Sequence, residues 1–150
     1  MAAGAFAWPP MSKSKNGILT QESLNSYLVE YYRRAKAERW RFVIGGAFPG
    51  FHDTYKEAGI HNSLGYLDGK NGETFINTFQ KTITYNVDVI QVVTWNDFGE
   101  GTYIEPTLEY GYRYLETIHS FRKQHIDGLF RYDSEDLRLP KMVYDLRKKK

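Results

Sequence analysis

One stretch limits what this chain can fold into more than any other: Val89-Ile90-Gln91-Val92-Val93-Thr94-Trp95-Asn96-Asp97-Phe98-Gly99-Glu100-Gly101-Thr102-Tyr103-Ile104-Glu105-Pro106. It begins as a β-branched run too apolar for a strand with one face in water. It then opens into a polar segment carrying Asp97, Glu100 and Glu105 among glycines and aromatics. Parallel strands covered on both faces read as unbroken Val/Ile runs, and the residues at their carboxyl ends carry the chemistry in α/β folds. The expectation is a buried strand that delivers a polar site.

The rest of the chain alternates in the same sense. Gly4 to Trp8 reads as a short strand, with Phe6 and Trp8 alternating with small residues and Pro9-Pro10 forbidding its continuation. Thr20 is a plausible N-cap, and Leu24, Tyr27, Leu28, Tyr31 and Ala35 form one apolar stripe of a helix ending near Arg39. Phe42 to Phe48 is a second buried strand stopped by Pro49-Gly50, followed by a turn-rich loop through His52 and Asp53. From Glu73, Phe75, Ile76, Phe79 and Ile83 mark a helix ending near Asn86. After the Val89 strand, Pro106-Thr107 introduces a third helix with Tyr114, Leu115, Ile118 and Phe121 on one face. Leu139, Met142, Val143 and Leu146 define a last helix within about 134–148 that packs on the outside, Pro140 being acceptable in its first turn.

Strand-helix-strand-helix-strand-helix order with long crossovers implies an α/β fold with parallel pairing. Two architectures fit: a small doubly wound sheet, or the last part of a larger (β/α)8 barrel. Three strands make a poor free-standing doubly wound sheet, and a barrel strand needs a neighbour on each side, which points to a fragment. The 150 residues amount to one domain, 1–150. An aromatic fraction of 16% suits a concave surface for flat, partly polar ligands such as sugar rings, though an aromatic core would give the same figure.

Several functions are disfavoured. Twenty basic and 18 acidic residues leave a net charge of +2, and the one basic cluster, Arg147-Lys148-Lys149-Lys150, suits the end of a helix, so nucleic acid is not an expected partner. Cysteine is absent, which excludes disulfides and thiolate chemistry while leaving the redox compartment open. No apolar run approaches the roughly 20 residues that span a bilayer, so no membrane role is expected, and the first ten residues do not resemble a signal peptide. The four histidines show no zinc-ligand spacing, Asp68 to Glu73 departs from a calcium loop, and phosphate-loop, dinucleotide and nucleophile-elbow motifs are missing. No metal or cofactor is expected.

Asp97 and Glu100 lie three apart in a glycine-bearing loop after a strand. Two nearby carboxylates in different surroundings can split their protonation states, which is the arrangement that cleavage of a glycosidic bond requires. The plainer alternative is that Asp97 caps a turn and Glu100 faces solvent. Trp95 can offer a flat face to a sugar ring or close the core, and Asn96 can hold hydroxyls through its donor and acceptor. Glu105 precedes Pro106 and could meet a substrate hydroxyl or favour the helix that follows. His52 and Asp53 follow a strand and are candidates for the rim of the same cleft.

The ordered run Trp95-Asn96-Asp97-Phe98-Gly99-Glu100-Gly101-Thr102-Tyr103-Ile104-Glu105-Pro106 resembles the signature at the end of the last barrel strand in glycoside hydrolases of families 71 and 99. The resemblance extends to Pro49-Gly50-Phe51-His52-Asp53-Thr54 and to the segment from Asp136 to Arg147, and covers the last third or so of that domain. It implies the C-terminal part of a TIM (β/α)8 barrel, about three βα units and an extra helix, whose parent hydrolyses α-linked glucan or mannan. Family 71 contains α-1,3-glucanases and family 99 endo-acting α-mannosidases. By that match Asp97 is the base and Glu100 the acid; Trp8, His52, Asp53, Trp95, Asn96, Thr102, Tyr103 and Glu105 are the candidate substrate-binding residues. The mannosidase pattern has glutamate where Asp97 stands, and the shorter arm departs from the substrate-assisted mechanism of that family. The Asn-Asp-aromatic-Gly-Glu order is nearer the glucanases, whereas Gly101-Thr102 through Glu105-Pro106 is nearer the mannosidases, which leaves linkage, sugar and stereochemistry open. The partner implied is an oligosaccharide or polysaccharide, and the parent is expected to be secreted or periplasmic although this chain shows no targeting signal. A carbohydrate-binding remnant without turnover and a piece that self-associates to cover exposed sheet edges are the alternatives.

Overall fold

The computed structural model describes residues 3–149. The start of the N-terminal segment at Met1-Ala2 and the last lysine of the basic cluster lie outside them. Two compact units divide after Ile104.

The first unit is built on three parallel strands, β1 (Gly4–Phe6), β2 (Phe42–Ala47) and β5 (Val89–Val92), in the order β1-β2-β5. Phe6 pairs with Ile44 and Ile44 with Val89, so these three side chains share one face of the sheet. Gly45, one residue on, faces the other way, where an added Cβ would lie 2.7 Å from Thr82 and 3.0 Å from the Tyr32 hydroxyl. Helices α1 (Gln21–Ala37) and α2 (Glu73–Thr84) therefore cover that second face closely, and glycine at position 45 is what permits the approach.

Local chemistry explains both helices. The Thr20 hydroxyl accepts from the Ser23 N–H at 3.1 Å, satisfying one of the free donors at the start of α1. Leu24, Leu28, Tyr32 and Ala35 are its buried stripe, so the apolar face falls at Tyr32 rather than the adjacent Tyr31, which is only half-buried. In α2 the expected Phe75 and Phe79 are buried, but Ile76 is exposed, and the innermost row is Thr74, Thr78 and Thr82. Their hydroxyls are satisfied locally: Thr78 donates to the Thr74 carbonyl at 2.9 Å and Thr82 to the Phe79 carbonyl at 2.7 Å within the helix, and Thr74 to the Asp68 carbonyl at 2.7 Å just before it. A small side chain with a locally satisfied hydroxyl lets the helix backbone come close to the sheet.

Two expectations are corrected in this unit. The turn-rich segment after β2 is not all loop: β3 (Phe51–His52) pairs antiparallel with β4 (Tyr66–Leu67), strands too short to leave an alternating pattern. The Val89 strand, expected to be covered on both faces, is not. Val89 is 43% exposed and Ile90, Gln91 and Val92 are half-buried: β5 is an edge strand, and Phe6, on the same sheet face as Val89, is 57% exposed.

The second unit holds α3 (Arg113–Phe121), a π-helical turn over Arg122–Ile126, a 3-10 turn over Glu135–Arg138 and α4 (Leu139–Lys148). The third helix starts later than Pro106-Thr107 suggests. The Thr107 carbonyl accepts from the Gly111 N–H at 2.9 Å and its hydroxyl from the Tyr110 N–H at 3.1 Å, holding this segment as a turn. Tyr114 and Phe121 of the expected stripe are buried. In α4 the stripe Leu139, Met142, Val143 and Leu146 is exposed throughout. Arg138 ties the unit together: it donates to Glu116 at 2.6 Å and to the Ser134 carbonyl at 2.8 Å, and its guanidinium lies over the Tyr112 ring.

Candidate active site

Parallel pairing brings three segments to one end of the sheet: the chain past β1, with Trp8; the chain past β2, with His52; and the chain past β5, from Thr94 onward. The Val93 N–H still donates to the Ala47 carbonyl at 2.9 Å, and the peptide between Val93 and Thr94 is cis. Beyond it the chain closes a ring on itself. The Thr94 N–H donates to the Thr102 carbonyl at 2.7 Å and the Ile104 N–H to the Thr94 carbonyl at 3.1 Å.

Inside this ring Asp97 is held from several sides. Its N–H donates to the Thr94 hydroxyl at 3.0 Å, its carbonyl accepts from the Thr102 N–H at 3.2 Å, and its Oδ1 accepts from the Glu100 N–H at 3.1 Å. Asp97 therefore caps the turn, and it also sits within electrostatic reach of the same surroundings as Glu100. Both side chains are half-buried.

A second segment runs beside the loop. The His52 N–H donates to the Glu100 carbonyl at 2.8 Å and the Thr54 N–H to the Gly99 carbonyl at 3.0 Å. Gly101 makes this possible: its φ is +64°, and an added Cβ would stand 2.9 Å from the His52 carbonyl oxygen. From the same segment the Tyr55 hydroxyl donates to Glu100 Oε1 at 3.0 Å. The Tyr55 phenol is raised above the ordinary tyrosine value of 10.0, first because it donates a hydrogen bond to the Glu100 carboxylate, then through burial and the charges of Glu100, Asp97 and Asp53.

The expected site residues are dispersed by this geometry. Asp97, Glu100 and the backbone of His52 converge. Trp95 is 51% exposed, with Asn96 and Phe98 beside it also exposed, and the Phe98 and Tyr103 rings lie 4.5 Å apart. Trp8 is exposed beyond β1, edge-on to Phe6. Asp53 and Thr102, both expected to face substrate, are buried instead. Asp53 is 1% exposed and accepts from the Ser63 hydroxyl and from the N–H groups of Tyr55, Leu64 and Gly65. Thr102 is fully buried, with its hydroxyl 3.3 Å from that of Thr94. Each is a polar residue in a loop, and only the folded chain reveals that local donors already use it. Glu105 belongs to the second unit and is half-buried. Tyr55 and Thr94, which the sequence did not single out, are the additional groups in contact with the acidic loop. Among the described residues no group of three His, Cys, Asp or Glu side chains is arranged to hold a metal ion.

The fold is α/β, a parallel sheet with helices, and is similar to that of a glycoside hydrolase of family 99. The endo-α-mannosidase of Bacteroides thetaiotaomicron in complex with BIS-TRIS-propane matches 81% of this chain at 21% identity and a TM-score of 0.57. A second structure of that enzyme matches 67% at 23% identity and a TM-score of 0.50. The chain spans 41% and 34% of the lengths of those two proteins. No curated protein matches it. By sequence, residues 29–144 match the family described as "Domain of unknown function (DUF5010)", and the chain belongs to that family.

Proposed function

We propose that this chain is the C-terminal part of a (β/α)8 glycoside hydrolase barrel whose parent hydrolyses α-linked glucan or mannan. Glu100 is the acid that protonates the leaving oxygen, and Asp97 is the base that assists attack at the anomeric centre. The observation that carries the reading is the turn past β5, on which Asp97 Oδ1 caps the Glu100 N–H at 3.1 Å, so that two carboxylates share one strand end. The fold likeness to family 99 supports it, as does the exposure of Phe6 and Val89 on one face of the parallel sheet. Parallel sheets are ordinarily covered on both sides, and in a barrel that face is filled by the remaining strands. Trp95 and Trp8 supply apolar faces for sugar rings, with Asn96 and Tyr103 at the margin, while Asp53 and Thr102 act by shaping the loops. The 150-residue chain keeps the acid-base loop and part of the cleft.

Reducing-sugar release from α-glucan and α-mannan oligomers by a full-length protein carrying this portion tests the assignment. Positioned acid-base groups contribute about 10²- to 10⁴-fold, so Glu100→Gln lowers turnover by that order. Undiminished turnover by Glu100→Gln would overturn the role of Glu100. A second reading, oligosaccharide binding without turnover, is favoured by the exposure of Trp95. Calorimetry that detects binding abolished by Trp95→Ala, together with no sugar release from the full-length protein, would select it.

A further inference from the structure

A glutamate can work as an acid only if one oxygen is held toward the leaving group, and a free side chain on a glycine-flanked turn has several rotamers to lose. In this chain one oxygen of Glu100 is already restrained, by a residue 45 positions away. We infer that Tyr55 is a positioning residue for Glu100: its hydroxyl holds Oε1 at 3.0 Å and so presents Oε2 for proton delivery. This rests on the reading of Glu100 as the acid.

The anchoring behind Tyr55 makes the assignment more than a single contact. Asp53 Oδ1 accepts from the Tyr55 N–H at 3.3 Å, and Oδ2 gathers the Ser63 hydroxyl at 3.0 Å and the Leu64 N–H at 2.6 Å. A buried carboxylate thereby fixes the backbone on which Tyr55 stands. His52 and Thr54 tie the same segment to the carbonyls of Glu100 and Gly99, so the origins of both side chains are set relative to each other. The His61 ring lies 4.4 Å from that of Tyr55 and limits its swing. Tyrosine suits the role because its ring is rigid and its hydroxyl is a donor of fixed reach. The raised phenol agrees with a proton kept on Tyr55 and shared with the carboxylate.

The experiment has two arms. In the full chain with ¹³C-labelled tyrosine, followed by NMR through alkaline pH, the resonance lost in Tyr55→Phe is that of Tyr55. Its titration midpoint is expected to fall toward the ordinary value of about 10 in Glu100→Gln and to stay in place in Glu57→Gln, a conservative change elsewhere on the same segment. An unchanged midpoint in a folded Glu100→Gln chain overturns the inference. In the full-length protein, Tyr55→Phe is expected to lower kcat by about 10- to 100-fold while KM stays within about twofold. A kcat equal to that of the unmutated protein overturns it as well. The titration reads the Tyr55–Glu100 bond with or without turnover. Failure of the glycosidase reading gives no sugar release with the titration shift intact, whereas failure of this one removes the shift.

Discussion

At the level of single residues, glycine at 101 matters as much as the carboxylates around it. With φ at +64° and the His52 backbone where a Cβ would go, Gly101→Ala combines a left-handed penalty with a close contact of 2.9 Å to the His52 backbone carbonyl oxygen. The left-handed penalty alone is about 1–2 kcal/mol. The expected result is a lower urea midpoint together with loss of the bond between the His52 N–H and the Glu100 carbonyl, read as faster amide exchange at His52. An unchanged midpoint would mean that the two segments are less tightly joined than described. Asp97 shows what a sequence conveys at this scale and what it leaves open. A carboxylate three residues before an N–H is recognisable as a turn cap, and the structure contains that cap. Asp53 shows the opposite case, since its donors on Ser63, Leu64 and Gly65 come from a loop whose return path no local pattern records.

Among the elements, α1 carries the clearest pH dependence. Tyr31 stacks edge-on with Tyr32 and Trp40, its hydroxyl donates to the Ile44 carbonyl at 3.2 Å, and its phenol is pushed up to about 12, chiefly by burial and then by Tyr27. Tyr32, in the core and stacked on Tyr85, is raised further by the same principal cause. In the unfolded chain both ionise near 10.0. Above that pH the unfolded state binds fewer protons than the folded one, so stability falls as pH rises. The Tyr31 contribution is fully present below about pH 10 and is lost as pH rises to about 12, while that of Tyr32 is lost at still higher pH. Urea midpoints measured across this range should stay level and then drop, and Tyr31→Phe should reduce the drop. A drop of equal size in that variant would show that other groups govern alkaline unfolding. In α2 the threonine row is not legible in the sequence, because threonine is polar by composition and its packing role, as where Thr82 meets Gly45, arises only in the folded chain.

For the molecule as a whole, the decisive feature is the sheet face opposite α1 and α2. Phe6 is 57% exposed, Phe42 and Val89 are each 43% exposed, and β5 presents an unpaired edge. Exposed apolar strands of this kind are templates for further pairing. The isolated 150-residue chain is therefore expected to associate in light scattering, in a concentration-dependent way, and Phe6→Lys to weaken the association. A monomer at all accessible concentrations would count against this. No helix among the described residues is long and apolar enough to cross a membrane.

The amino-acid sequence by itself determined the alternation of strands and helices, the Thr20 cap, the parallel α/β class and the loop on which the two candidate carboxylates stand. These depend on periodicity and on contacts a few residues apart, which neighbouring side chains encode directly. Tertiary structure alone decided that Asp53 and Thr102 are internal supports, that the Val89 strand is an edge, and that Tyr55 reaches Glu100. The reason is distance along the chain. A hydrogen bond spanning 45 residues depends on how two strand ends are brought side by side, and no local pattern in either segment carries that information.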